Sequence, residues 1–345
     1  MKFVVDSHIP FIQGVFEPYA EVVYINGSEI LHEDIIDADA LIIRTRTRCN
    51  AEFLQGSSVR LISTATIGTD HIDLPWCAEN GITVANAAGC NAGGVMNYVF
   101  SSLYGMASRK SRRLDDATFG IIGVGHVGSL VERTARKLGF NVILCDPPRA
   151  AAEGEEKFSS LDYLLENSDI VTLHTPLDEN TLGMADEDFF EKIRPGAFFI
   201  NSSRGEVVKE SALLHAAPKL GAIIIDTWCN EPDINLTLMD RADIATPHIA
   251  GYSYQGKQNG TSMAVRAVAK FFGIKALEWF YPPADEPMHN LGPMHLDVSG
   301  KNQGEIASLI QYNYPVFTDD FMFRTNPTGF ESLRSNYRYR REFYI

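Results

Sequence analysis

The run Phe119-Gly120-Ile121-Ile122-Gly123-Val124-Gly125-His126-Val127-Gly128 begins as an apolar strand and breaks into a glycine turn. A helical pattern follows and stops near Leu138-Gly139; a second apolar run, Asn141–Cys145, then leads into Asp146. A G-x-G-x-x-G spacing alone is weak evidence. Set between a strand and a helix, with an acidic residue roughly twenty positions further on, it specifies a βαβ unit that cradles a dinucleotide. Gly123 permits the tight turn, Gly125 lets the backbone approach a pyrophosphate, and Gly128 lets helix and strand pack closely. His126 and Val127 open the helix, where free N–H groups and the positive dipole end favour phosphate. Asp146 is placed to accept hydrogen bonds from an adenosine ribose and to repel a 2′-phosphate, which selects NAD over NADP. Arg149, just beyond Pro147-Pro148, keeps NADP as the alternative.

This unit lies within 345 residues, of which 45% are apolar and 21% charged. A chain of that length folds as about two domains and needs no disulfide or metal to hold its core. The five cysteines are scattered, with no C-x-x-C pair, so neither a disulfide framework nor a zinc site is expected. Reduced cysteines fit a cytoplasmic protein. Runs such as Ala222–Ile225 fall far short of the roughly 20 apolar residues that a membrane span needs. A formal net charge of −14 argues against general nucleic-acid binding.

Outward from the glycine turn, short apolar runs alternate with amphipathic stretches. Lys2–Val5, Glu21–Tyr24, Ala40–Ile43 and Arg60–Ser63 read as one series of strands. Phe119–Ile122, Asn141–Cys145, Ile170–Thr172, Ala197–Asn201 and Ala222–Asp226 form a second. Helical patterns separate them, so the fold class is α/β with two doubly wound, Rossmann-like or flavodoxin-like parallel-sheet domains. Two long helical patterns, Val95–Ala107 and Met263–Phe272, mark crossovers between the series. The Pro-, Asn- and Met-rich stretch after Tyr281 and the Tyr- and Arg-rich tail suggest a small C-terminal α+β appendage.

Three segments carry reactive residues just past predicted strands: Asn201-Ser202-Ser203-Arg204-Gly205, Asp226–Pro232 and Thr246-Pro247-His248-Ile249-Ala250-Gly251. Open α/β sheets bind ligands at that edge. Arg204, Glu231 and His248 form a coherent set for oxidising a 2-hydroxy acid. A histidine takes the hydroxyl proton as hydride leaves C2. A carboxylate fixes its tautomer, and an arginine fork holds the substrate carboxylate.

These motifs, together with Ser63–Asp73, Gly89-Cys90-Asn91-Ala92, Cys145–Arg149, His174-Thr175-Pro176-Leu177, Ser203-Arg204-Gly205 and His248–Tyr252, give the chain its family likeness. It resembles the D-isomer-specific 2-hydroxyacid dehydrogenases over nearly its whole length. Within them it resembles the branch that oxidises a phosphorylated four-carbon acid in vitamin B6 synthesis. The resemblance implies that Arg204 and Glu231 are catalytic and that His248 is the acid/base. It implies substrate contacts at Thr45, Thr66 and Tyr252, and NAD contacts at Asp146, Thr175, Asp226 and Gly251. It also implies a discontinuous substrate domain, 1–92 and 269–284, an inserted NAD-binding domain, 93–268, and a dimerisation domain, 285–345. The expected partners are a small phosphorylated hydroxy acid and a second copy of the chain. The rivals are another D-2-hydroxyacid dehydrogenase, such as 3-phosphoglycerate dehydrogenase, and a non-catalytic NAD-sensing protein.

Other residues invite competing readings. In Arg44-Thr45-Arg46-Thr47-Arg48, continued extension would put the arginines on one side and the threonines on the other. Arg44 or Arg46 is then the expected phosphate contact, with Arg48 solvated. Backbone N–H groups near Ile67-Gly68 are candidates for the substrate carboxylate. His71 reads as structural, with Thr69 or Asp70 capping the next helix, and His174 as a packing residue. The tail arginines, including Arg334 and Arg340, read as an interface or a solvated helix face.

Overall fold

The computed structural model describes residues 1–283 and 292–345. Its contacts divide the chain into two units, Met1–Asn91 with Tyr254–Gly292 and Ala92–Ser253 with Pro293–Ile345.

In the first unit, β1 (Lys2–Asp6), β2 (Glu21–Ile25), β3 (Ala40–Ile43), β4 (Leu61–Thr64) and β5 (Thr83–Asn86) form one sheet. Their order is β2-β1-β3-β4-β5. Every pairing is parallel, and β3 and β4 are buried along their whole length. That explains their unbroken apolar sequence: both faces of a parallel sheet are covered by helices. β5 escapes a reading from sequence because Thr-Val-Ala-Asn is a short, half-exposed edge strand.

In the second unit, β6 (Thr118–Ile122), β7 (Asn141–Cys145), β8 (Ile170–Leu173), β9 (Phe198–Asn201), β10 (Ala222–Ile225) and β11 (Ile244–Ala245) form the larger sheet. Their order is β11-β10-β9-β8-β6-β7. The order reverses between β6 and β8, the point where such sheets bind ligands. A small parallel pair, β12 (Met294–His295) and β13 (Phe343–Tyr344), closes the C-terminal segment. Both doubly wound sheets and the C-terminal α+β segment are therefore present.

Several details differ from the sequence reading. The helix read from Met263 begins at Tyr254, because its first turns carry buried Gln255, Gly256, Gln258 and Gly260, which look like loop residues. Gly260 is required there: a Cβ would lie 2.7 Å from the Ala65 carbonyl oxygen. This whole helix groups with the first unit. Residues from Pro293 onward group with the second unit and do not stand apart. The expected boundary at 284/285 lies outside the described residues. The cap of the helix Leu74–Glu79 is Asp73, not Thr69 or Asp70; its side chain accepts from the Trp76 N–H. The arginine alternation also fails. β3 stops at Ile43, and Arg44 turns back so that its Nε donates to Asp6 at 2.8 Å.

Candidate active site

Three strands of the larger sheet, β9, β10 and β11, are neighbours, and each ends in one of the reactive segments. After β9, the Asn201 side chain ties the turn together. Its Nδ2 donates to the Arg204 carbonyl at 2.9 Å, and its Oδ1 accepts from the Ser203 N–H and hydroxyl at 3.0 and 2.8 Å. Gly205 presses against the segment after β10. A Cβ there would lie 1.9 Å from the Trp228 carbonyl carbon, so only glycine fits and Arg204 is fixed beside that segment.

After β10, Trp228 is buried and its indole N–H donates to the Thr246 carbonyl at 2.9 Å. Its backbone N–H donates to Glu231 Oε1 at 3.0 Å, which aims the carboxylate at the next strand. There, His248 Nδ1 lies 2.8 Å from Glu231 Oε2 and 3.1 Å from Oε1. A carboxylate at Nδ1 fixes the proton on that nitrogen. Nε2, on the far side of the ring, then presents its lone pair, and no described residue bonds it. Burial opposes ionisation of Glu231, yet His248, the Trp228 N–H and Arg334 hold its carboxyl below the usual range. His248 itself has φ 55°, a left-handed backbone that costs a non-glycine residue about 1–2 kcal/mol.

Asp226, expected at the cofactor, stands just past the end of β10. It is buried, and its carboxylate accepts from the Thr246 hydroxyl at 2.7 Å and from the N–H groups of Ile249 and Ala250 at 2.8 and 2.9 Å. Tyr98 completes the chain by donating to Thr246 at 2.9 Å. Burial pushes the Asp226 pKa up, against the pull of His248 and these donors. Sequence gave no sign of Tyr98 or Thr246 in this role.

Over residues 97–250 the chain matches the NAD-binding domain of D-isomer specific 2-hydroxyacid dehydrogenases. Two relatives named erythronate-4-phosphate dehydrogenase come from Bacteroides fragilis and Bacteroides thetaiotaomicron. They are 43% and 42% identical over 99% of this chain and 97% of each relative. The chain belongs to the erythronate-4-phosphate dehydrogenase family of D-isomer-specific 2-hydroxyacid dehydrogenases. An NAD-bound 3-phosphoglycerate dehydrogenase from Entamoeba histolytica is similar in structure, with a TM-score of 0.68 and 27% identity, covering 81% of this chain and 97% of that one. Like this family, the chain is an NAD-dependent dehydrogenase.

The residues present fit that cofactor. Gly123, at φ 83°, packs on the β8 end, where a Cβ would lie 2.7 Å from the His174 carbonyl carbon. Gly128 touches the Gly123 carbonyl, whereas nothing lies within 4 Å of a Cβ at Gly125, so the turn is open on the side a phosphate needs. Asp146 anchors the same turn, accepting from the Val124 N–H at 2.7 Å. Thr175, Ser202 and Thr227, past β8, β9 and β10, each bury a hydroxyl without a hydrogen-bond partner. Buried polar groups are seldom left so without a ligand to meet them. Arg149 is engaged by Glu153, at 2.6 and 2.7 Å, and by the Val124 carbonyl, which ties up the one residue that favoured NADP.

The first unit holds the other expected contacts. Thr45 and Arg46 are exposed in the turn after β3. Thr66 shares a 2.6 Å hydrogen bond with Thr64 past β4, and Gly68 follows Ile67, whose carbonyl accepts from Asn86 at 2.9 Å. In the second unit, Gly251 packs on the helix Ala92–Arg109, where a Cβ on Gly94 would meet its carbonyl at 3.1 Å. The Tyr252 ring is edge-on to Tyr337 and Tyr339.

Proposed function

We propose that the chain oxidises 4-phospho-D-erythronate at C2 to 2-oxo-3-hydroxy-4-phosphobutanoate, a step toward pyridoxal 5′-phosphate. The observation that carries this reading is the 2.8 Å contact between His248 Nδ1 and Glu231, with Arg204 fixed past the adjoining strand. His248 Nε2 takes the proton of the C2 hydroxyl. Glu231 holds the ring in the required tautomer and stabilises the charge it gains. Arg204 pairs with the substrate carboxylate and polarises the carbonyl that forms. NAD, when bound, accepts the hydride. Gly123, Gly125, His126, Val127 and Gly128 would hold its pyrophosphate and Asp146 its ribose, with Thr175, Asp226 and Gly251 along its path. Arg46 and the remaining nitrogens of Arg44 take the substrate phosphate, while Thr45, Thr66, Gly68 and Tyr252 complete the substrate contacts.

The first unit is the substrate domain and the second the NAD domain. A second copy docks on the C-terminal segment, where Tyr312, Phe321 and Met322 are exposed by 88%, 64% and 49%. No helix among the described residues is long and apolar enough to cross a membrane, and none of the five cysteines is in a disulfide, in keeping with the cytoplasm.

The test is a single-turnover assay of purified protein with NAD, followed by nicotinamide absorbance. A burst with 4-phospho-D-erythronate, and none with 3-phosphoglycerate or unphosphorylated erythronate, is expected. A burst with 3-phosphoglycerate instead overturns the substrate. No burst with any acid, despite NAD binding, favours the sensor.

A further inference from the structure

The two residues after His248 are gripped from opposite sides. Asp226 takes the N–H groups of Ile249 and Ala250. Arg340, from the C-terminal tail, takes their carbonyls: Nη1 donates to Ile249 at 3.1 Å, and Nη2 donates to Ala250 and, at 3.1 Å, to Gly94. One planar fork thus joins the His248 loop to the start of the helix Ala92–Arg109. The fork is itself held. Its carbon lies 4.0 Å from the centre of the Tyr314 ring, and Nη1 also donates to the Tyr337 hydroxyl at 3.0 Å. Tyr314 and Tyr337 both donate to Asp319, at 2.9 and 2.8 Å, which places a carboxylate behind the two phenols. Arg340 is therefore held by partners within the chain and does not lie on a solvated helix face.

The tail does not need Arg340 to stay in place. Asn97 exchanges two hydrogen bonds with the main chain of Phe343, at 2.7 and 3.1 Å. The Ser253 hydroxyl donates to Glu342 at 2.6 Å, and β13 pairs with β12. What Arg340 adds is a grip on the residues that carry His248, whose left-handed backbone needs a fixed neighbour.

We propose that Arg340 is a positioning residue for His248, so that the C-terminal tail completes the active site of its own chain. This rests on the reading of His248 as the base. Arg340→Lys keeps the positive charge but replaces the planar fork, with its two separated nitrogens, by a single nitrogen. The expected result is a fall in kcat of at least tenfold, with NAD affinity within twofold of wild type. Tyr337→Phe removes one support of the fork and should show the same signature at twofold to fivefold, which covers the case in which Arg340→Lys does not fold. Asn97→Ala loosens the tail elsewhere and should change kcat less than twofold. In a His248→Asn background, Arg340→Lys should cost nothing more, because its effect runs through the ring. An equal loss in that background overturns the proposal, as does a change in KM alone or a loss matched by Asn97→Ala. Wild-type turnover by His248→Asn alone overturns the base assignment instead, and the two failures are thereby told apart.

Discussion

His174 and His248 both stand just past the carboxyl end of a strand in the same sheet, yet their rings meet opposite partners. His174, after β8, has its Nε2 3.1 Å from the Thr172 hydroxyl, and burial pushes its pKa down. His248, after β11, has its Nδ1 on the Glu231 carboxylate. Their sequence settings use the same three residue types, His174-Thr175-Pro176 and Thr246-Pro247-His248. The difference comes from what another segment brings. Thr172 is two residues from His174 on the same strand and offers only a neutral hydroxyl. Glu231 reaches His248 from the neighbouring strand end and offers a charge. A histidine beside a carboxylate can accept a proton and be stabilised by it; one shut in with a hydroxyl stays neutral.

Replacing each ring tests this contrast most strongly. His248→Asn should lower kcat by about 10²- to 10⁴-fold, the usual worth of a general base. NAD titration should still show binding. His174→Gln, which keeps an amide near Thr172, should leave kcat within about threefold. Comparable losses at both positions would dissolve the distinction.

Glu231→Gln asks how much of it belongs to the carboxylate. The amide keeps the size of the side chain but carries no charge and can present a donor to Nδ1. A fall in kcat of about 10²-fold is expected, at the low end of general-base catalysis. Steady-state rates at saturating NAD and acid measure it. A variant as active as wild type would reduce Glu231 to a packing residue.

The glycine turn was legible because its demands are local. Gly123 takes a left-handed backbone, Gly125 leaves the turn open and Gly128 meets the Gly123 carbonyl, all within six residues whose order is written in the chain. The set Arg204, Glu231 and His248 was legible as chemistry, but only the adjacency of β9, β10 and β11 brings the strand ends together. The network behind it was not legible at all. Tyr98 meets Thr246, and Arg340 meets Ile249 and Ala250, across separations that no spacing encodes. Arg44 shows the reverse case, a charge in part already used. Its charge suggested a ligand, and Asp6, fully buried in β1, takes its Nε and so holds one edge of the fork within the protein. Pattern reading counts charges and cannot see which are already used.

The smallest effect separates the two histidines by stability. An unfolded histidine titrates near 6.5. In the folded chain His174 titrates lower, because burial disfavours its charged form. Below about pH 6.5 the unfolded chain therefore gains a proton that the native chain does not. The contribution of His174 to stability is complete above that pH and falls away as the solution is acidified. Between pH 7 and pH 5.5 the loss attributable to this ring is about 1 kcal/mol. His174→Gln has no proton to gain, so its urea midpoint should decline less over that interval than the wild-type midpoint. Parallel declines would mean that the ring takes up its proton without unfolding. His174 would then be as open to water as the contrast with His248 denies.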